Sequence, residues 1–204
     1  MNMNNKIFFK NYIENLNQCY SRLDINKIEN ITELVFKKIK SKNNIFVCGN
    51  GGSASISNHF LCDFNKGIKF SSTKKLLPKI ISLSNSIELI TAISNDISFE
   101  KIFSYQFENY VKKDDLLLVF SCSGNSKNIK NIENLANKKN IKVVKFYGFK
   151  NSYKNKKNEI IFNLNLEIKN YGICEDVFQS LMHMISQNIR AKYIKNFNFK
   201  KNSL

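Results

Sequence analysis

The 204-residue chain has no tryptophan, one proline, seven glycines, two histidines and two arginines, Arg22 and Arg190. With breakers this sparse, no linker and no internal repeat interrupts it, and its length suits one ordinary domain. A hydrophobic share of 43% is enough to bury a core, which excludes a disordered chain. No run approaches the roughly 18 apolar residues of a membrane span. The start, MNMNNKIFFKNYIENLNQCY, is broken by Asn, Lys and Glu and lacks the apolar stretch of a secretory signal. The expectation is a cytoplasmic protein with no membrane partner. Cysteine is scattered: Cys19, Cys48, Cys62, Cys122 and Cys174 form no CxxC pair, so neither a zinc ribbon nor a disulfide scaffold is indicated, and reduced thiols fit best.

Positive charge is abundant. Thirty-two Lys and Arg against 16 Asp and Glu give a net charge of +16. Nucleic-acid readers lean on arginine, whose planar fork grips phosphate and guanine edges bidentately, and arginine is what this chain lacks. Lys, Asn and Ile are enriched together along the whole length, the mark of a compositional bias and a solvated lysine surface. No nucleic-acid partner is expected. The positive field would still draw in an anionic metabolite.

Apolar spacing divides the chain. Ile7, Phe8, Tyr12, Ile13 and Leu16, then Ile28, Ile31, Leu34, Val35 and Ile39, recur at helical intervals. From Asn44 the pattern changes to short apolar runs followed by helical segments. The runs are Asn44 to Cys48, Lys79 to Leu83, Asp115 to Phe120, Ile141 to Phe146 and Glu159 to Phe162. The continuous run Leu116 to Phe120 is what a strand covered on both faces requires. Helices are expected from about Ser53 to Asn65, over Ile87 to Ile93, and from Ser126 through Leu135. A last one carries Val177, Leu181, Ile185 and Ile189, and the polar stretch Gly148 to Asn158 reads as a surface loop. Strand and helix in alternation specify an α/β layer fold around a parallel sheet.

In such sheets, ligands bind beyond the carboxyl ends of the strands. Two strand ends carry small polar turns: Gly49-Asn50-Gly51-Gly52-Ser53 and Ser121-Cys122-Ser123-Gly124-Asn125-Ser126. Each has two readings. Serines and asparagines can cap helices while glycines turn the chain, or glycines and helix N-termini can offer N–H donors to a phosphate. Two such turns in one sheet favour the phosphate pocket; no Gly-Lys-Ser/Thr follows, so neither is a Walker loop. The two histidines add chemistry. His59 and Asp63 are four apart on one helical face. They form either a surface pair or a satisfied buried histidine, the commoner case for an isolated HxxxD, or a shared hold on a metal or substrate; their place just after a candidate phosphate turn weakens the first reading. Glu175 precedes His183 by eight residues, about 12 Å of helix. One ion would touch both only if Glu175 stood at a frayed helix start; otherwise the two serve different copies of a site between subunits.

Gly49-Asn50-Gly51-Gly52-Ser53, HFLCD (His59 to Asp63), Ser94-Asn95-Asp96, SCSGNS (Ser121 to Ser126) and EDVFQSLMH (Glu175 to His183), in this order and spacing, resemble the SIS-domain proteins of the phosphoheptose isomerase type. The resemblance covers about residues 5 to 195. It implies a three-layer α-β-α sandwich with a central five-stranded parallel sheet, flavodoxin-like, in one SIS domain over residues 1–204. N-terminal helices (about 5–41) and a C-terminal helix (about 173–197) would help form a homotetramer with sites between subunits. The implied reaction interconverts sedoheptulose 7-phosphate and D-glycero-D-manno-heptose 7-phosphate through an enediol, an entry to bacterial heptose, capsule or lipopolysaccharide synthesis. By position, the resemblance implies substrate contacts at Asn50, Gly51, Gly52, Ser53, Asp63, Asn95, Asp96 and Glu175, and a phosphate loop of Ser121, Cys122, Ser123 and Ser126. It implies one zinc per site on His59, Asp63, Glu175 and His183, with Asp63 and His183 as the acid–base pair.

Three positions depart from the family pattern. Asp63 replaces the usual glutamate and shortens its reach; Glu175 replaces a glutamine and adds negative charge that favours a divalent cation. Cys122 replaces the threonine of a Ser-Thr-Ser run and loses a hydroxyl donor. The acid–base, metal and phosphate roles survive these changes, but they admit a different sugar phosphate of surface-polysaccharide synthesis. A non-catalytic SIS regulator that binds a replication initiator is the rival from another class; retention of both histidines at family positions counts against it.

Overall fold

The computed structural model describes residues 4–150, 152–153, 156–167 and 169–200. Two helices lead the chain, α1 (Asn5–Ser21) and α2 (Ile25–Lys40). Strand β1 (Asn44–Cys48) follows, then α3 (Gly52–Cys62), which widens into a π-helical turn (Asp63–Ile68) and ends in the single turn α4 (Lys69–Ser71). Next come β2 (Lys79–Ser82), α5 (Ile87–Asp96), a 3-10 turn (Phe99–Lys101) and α6 (Ile102–Tyr110). The remainder is β3 (Leu116–Ser121), α7 (Lys127–Lys138), β4 (Lys142–Phe149), β5 (Glu159–Leu166) and α8 (Tyr171–Ala191).

All five strands are parallel, in the order β2-β1-β3-β4-β5. This is the three-layer α-β-α sandwich expected from the sequence. Strand alternation sorts the apolar side chains onto two faces. Ile45 and Val47 of β1 and Leu116, Leu118 and Phe120 of β3 point to the layer built by α2, α3 and α8. Phe46, Cys48, Leu117 and Val119 point to the opposite layer, where α5, α6 and α7 contribute Ile93, Phe103, Phe107, Ile129 and Ile132. Every residue of β3 is buried, as its unbroken apolar run requires.

The order reverses at β1, which lies between β2 and β3. The two polar turns therefore leave neighbouring strands, and their helices depart to opposite faces. A crevice opens at such a switch point. Gly148 and Phe149, placed in a loop by sequence, continue β4, because both amides donate to Cys122 O at 3.2 and 2.8 Å. Strand β5 runs to Leu166, four residues beyond the expected Phe162, and the last helix spans 171–191 rather than 173–197. Residues 151, 154 and 155 of the expected loop lie outside the described residues. Among the described residues no helix is long and apolar enough to cross a membrane.

Candidate active site

Helices α3 and α8 lie side by side and bring the two histidines together. His59 and His183 face each other with Nε2 atoms 3.2 Å apart and rings at 77°. Asp63 Oδ1 is 3.4 Å from His59 Nε2, the four-residue spacing working as expected on one helical face, and Asp63 Oδ2 is 3.9 Å from His183 Nε2. Asp63 opens the π-helical turn, a widening often found where a helix carries a functional group. Two residues given no role by the sequence reading flank the cluster. Gln179 Nε2 lies 3.1 Å from His183 Nε2, and Ser186 Oγ donates to Asp63 Oδ2 at 3.2 Å. Both sit within one helical turn of His183, so the i±3 and i±4 neighbours of that histidine were the signal to use.

These donors fit a divalent cation. The ligand atoms of His59, Asp63 and His183 lie within 4.8 Å of one another. Zinc with bonds of about 2.0–2.2 Å holds tetrahedral ligands roughly 3.3–3.5 Å apart, and the closest pairs here are already at 3.2 and 3.4 Å. Two imidazoles and a carboxylate are the ligand types such an ion takes. Glu175 is not in this group within one chain. It stands on the second turn of α8, behind a well-formed cap in which Asn170 Oδ1 accepts from Ile173 N–H at 3.1 Å, so the frayed start considered from sequence does not occur.

Glu175 instead covers the start of α3. A Cβ on Gly52 would lie 2.1 Å from Glu175 Oε2, so any side chain there would displace the carboxylate from this position. Ser53 N–H donates to it, which works against the burial that raises its pKa above the usual carboxylate range; the charge of Asp176 adds to the rise. The first polar turn is therefore filled by an internal anion. Its Asn50 is also engaged: the side-chain amides of Asn50 and Asn128 donate to each other at 3.0 and 2.9 Å. Asn128, buried on the first turn of α7, ties the two polar turns together and was not singled out in the sequence.

The second turn is built differently. Ser121 Oγ accepts from Gly124 N–H at 3.1 Å, and Ser123 Oγ accepts from Asn125 N–H at 3.2 Å. A hydroxyl whose lone pair is taken by a backbone amide keeps its proton to donate elsewhere. Ser126 occupies the N-cap position of α7, yet its side chain makes no capping bond. Asn4, Asp24, Ser86 and Asn170, by contrast, each cap α1, α2, α5 and α8 through the side chain. Cys122 is buried behind this turn; a hydrogen bond from Cys174 lowers its pKa, against burial and the charge of Glu175, with a further bond to Ser53. Asn95 and Asp96 are exposed at the end of α5, where Asn95 Nδ2 donates to Asp96 Oδ1 at 2.8 Å. The structure does not bring these two against the other candidates within one chain.

A model of the SIS domain matches residues 8–148. The chain belongs to the SIS-domain family. A probable phosphoheptose isomerase of Thermoplasma acidophilum is 33% identical over 184 residues, covering 90% of this chain and 98% of the relative. A probable phosphoheptose isomerase of Thermoplasma volcanium is 38% identical over 115 residues, and the phosphoheptose isomerase of Clostridium acetobutylicum 39% over 103 residues. These two matches span 57% and 51% of the relatives' length, little more than half. Among solved structures, phosphoheptose isomerase from Francisella tularensis superposes with a TM-score of 0.79 at 22% identity, covering 91% of this chain and 95% of that one. The enzyme from Neisseria gonorrhoeae gives 0.77 at 22%, covering 90% and 95%. At that identity the two structures establish the SIS fold.

Proposed function

We propose that this SIS-domain protein is an aldose–ketose isomerase of sugar phosphates, converting sedoheptulose 7-phosphate to D-glycero-D-manno-heptose 7-phosphate for bacterial surface-polysaccharide synthesis. The observation that carries this reading is the convergence of the chain's only two histidines on one carboxylate, within 4.8 Å, in a chain whose relatives bear the name phosphoheptose isomerase. The reaction moves a proton between C1 and C2 through an enediol and needs a base, an acid and stabilisation of a developing oxyanion.

The residues supply each requirement. The substrate phosphate lies on the Ser121–Ser126 turn, where serine hydroxyls and the start of α7 meet; of the first α7 amides, that of Ile129 is taken by Asn128 Oδ1 at 2.9 Å. Asp63 and His183 handle the proton. Asp63 is oriented by the Ser186 hydroxyl. In the tautomer protonated at Nδ1, His183 Nε2 accepts from Gln179, and this one lone pair serves either the proton or a metal ion, not both at once. His59, Asp63 and His183 would hold a zinc ion, which when bound supplies polarisation of the substrate carbonyl and charge for the enediolate. Glu175 stands at the sugar-hydroxyl side of the site, or serves as a ligand toward a second copy of the chain.

A homotetramer with sites between subunits follows from the same reading. Helix α1 buries none of its residues, and Ile7, Phe8, Phe9 and Ile13 stand exposed on it. Such a patch on a soluble chain is the mark of an interface.

Turnover of sedoheptulose 7-phosphate, with added zinc and after chelation, tests the reading. Aldose formation that is lost on chelation and restored by zinc supports it; folded, zinc-loaded protein that forms no aldose refutes it. Asp63→Asn is expected to cut kcat by about a hundredfold or more, within the range of acid–base contributions. Normal turnover by that variant would remove Asp63 from the proton transfer.

A further inference from the structure

The Ser121–Ser126 turn is gripped from outside by a residue no motif announces. Tyr153 Oη donates to Ser123 O at 2.9 Å. The same peptide unit is held at its other end, since Gly124 N–H donates to Ser121 Oγ at 3.1 Å. Its carbonyl is thus turned away toward Tyr153, while its amide faces back into the serine cluster. A peptide plane can be held this way or flipped, and the choice decides whether a loop presents N–H groups or a carbonyl oxygen to an anion.

The fit around Tyr153 requires glycine in the loop. Gly124 has φ +63°, and a Cβ there would lie 2.8 Å from Tyr153 Oη, 3.0 Å from its Cε1 and 3.1 Å from Tyr147 Cε2. The two tyrosine rings pack with centroids 4.4 Å apart. Tyr147 is fixed in turn: its hydroxyl donates to Glu133, whose carboxylate meets Lys145 at 3.1 Å, and Lys145 meets Glu159 at 2.8 Å. Burial, with the neighbouring Glu133 charge, pushes the Tyr147 phenol far above its ordinary pKa, so it stays a donor. A buried, fully partnered cluster of this kind gives the loop a rigid support. Tyr153 is the link between that support and the loop backbone.

We infer that Tyr153 is a positioning residue for the phosphate, locking the Ser123–Gly124 peptide so that the turn offers donors and not a carbonyl to the anion. It rests on the reading of this turn as the phosphate site. It acts through the loop and not on the reacting carbons, so its effect belongs in affinity for the phosphate and not in the proton transfer.

The test compares wild-type protein with Tyr153→Phe in calorimetric binding of inorganic phosphate and in sugar-phosphate kinetics. A neutral hydrogen bond typically contributes about 0.5–1.5 kcal/mol, so phosphate affinity should fall about fivefold and KM should rise in step, with kcat within about twofold. The aromatic contact with Tyr147 survives this change, so the melting temperature should stay near wild type. As a control, Tyr147→Phe removes the bond to Glu133 and should lower the melting temperature with phosphate affinity held within twofold. Phosphate binding unchanged in Tyr153→Phe, while wild type binds, would overturn the positioning role and leave the phosphate-loop reading standing. Loss of kcat and stability without a shift in KM would mark Tyr153 as merely structural and overturn it too. Wild-type protein that binds no phosphate would refute the loop reading itself, and the role of Tyr153 with it.

Discussion

The two polar turns at the switch point look alike in sequence and differ in what occupies them. Both follow a buried parallel strand, both contain glycine and serine, and both open a helix. At the start of α3, Glu175 reaches in from α8 and takes the Ser53 amide, so the positive end of that helix already faces a carboxylate. At the start of α7, Ser126 makes no capping bond, Asn128 Oδ1 takes the Ile129 amide, and the Ser121 and Ser123 hydroxyls accept from backbone amides, which leaves their protons to donate elsewhere. An internal anion and an external one solve the same electrostatic problem at a helix N-terminus. The difference supports the proposal that the phosphate belongs to the second turn.

Of the two turns, the open one should give the larger effect. Ser126→Ala removes a hydroxyl that does not cap its helix, so KM for the sugar phosphate should rise about tenfold, as for a hydrogen bond to a charged group, while thermal stability hardly moves. Steady-state kinetics with a melting curve on the same sample would check this. A stability loss near 1 kcal/mol with unchanged KM would return Ser126 to ordinary capping. The mirror experiment is Asp24→Ala, at a helix start capped by Asp24 Oδ1 accepting from Lys27 N–H at 2.9 Å. It should lose about 1 kcal/mol in denaturant unfolding with KM unchanged.

The smallest effect belongs to the filled turn. Burial holds the Glu175 pKa above its ordinary value, so its charge costs the folded state more than the unfolded one. A raised carboxyl contributes stability that is present below its unfolded pKa and lost as pH rises through the folded one. Unfolding of wild type and Glu175→Gln followed against pH should therefore diverge only above the ordinary carboxylate range, with the variant relatively the more stable at neutral pH. Phosphate affinity of Glu175→Gln should improve by about twofold, because one negative charge near the crevice is gone. A variant that loses stability equally at acid and neutral pH would contradict this account of Glu175.

Local features of the site were legible and long-range ones were not. The strand runs, the two turns and the His59–Asp63 spacing follow from periodicities of two and 3.6 residues, which depend only on neighbours in sequence. The contact of His183 with His59 joins residues 124 apart in the chain and rested on resemblance alone. Glu175 shows the limit most clearly. The sequence left it either at a frayed helix start or serving a second copy of the site; within one chain it lies outside the His59–Asp63–His183 group, and its neighbour, the start of α3, has no signal in a motif. Tyr153 and Asn128 were invisible for the same reason: each acts on a turn folded from elsewhere. The extension of β4 through Phe149 depends on Cys122 O accepting its amide at 2.8 Å, a neighbour that only the assembled sheet supplies.

Isomerisation by proton transfer is read out by proton NMR of sedoheptulose 7-phosphate incubated with zinc-loaded protein in deuterated water. D-glycero-D-manno-heptose 7-phosphate should appear with deuterium on the carbon next to the carbonyl, and Asp63→Asn should slow both events together. Neither aldose nor deuterium uptake from a folded, metal-loaded protein would contradict it.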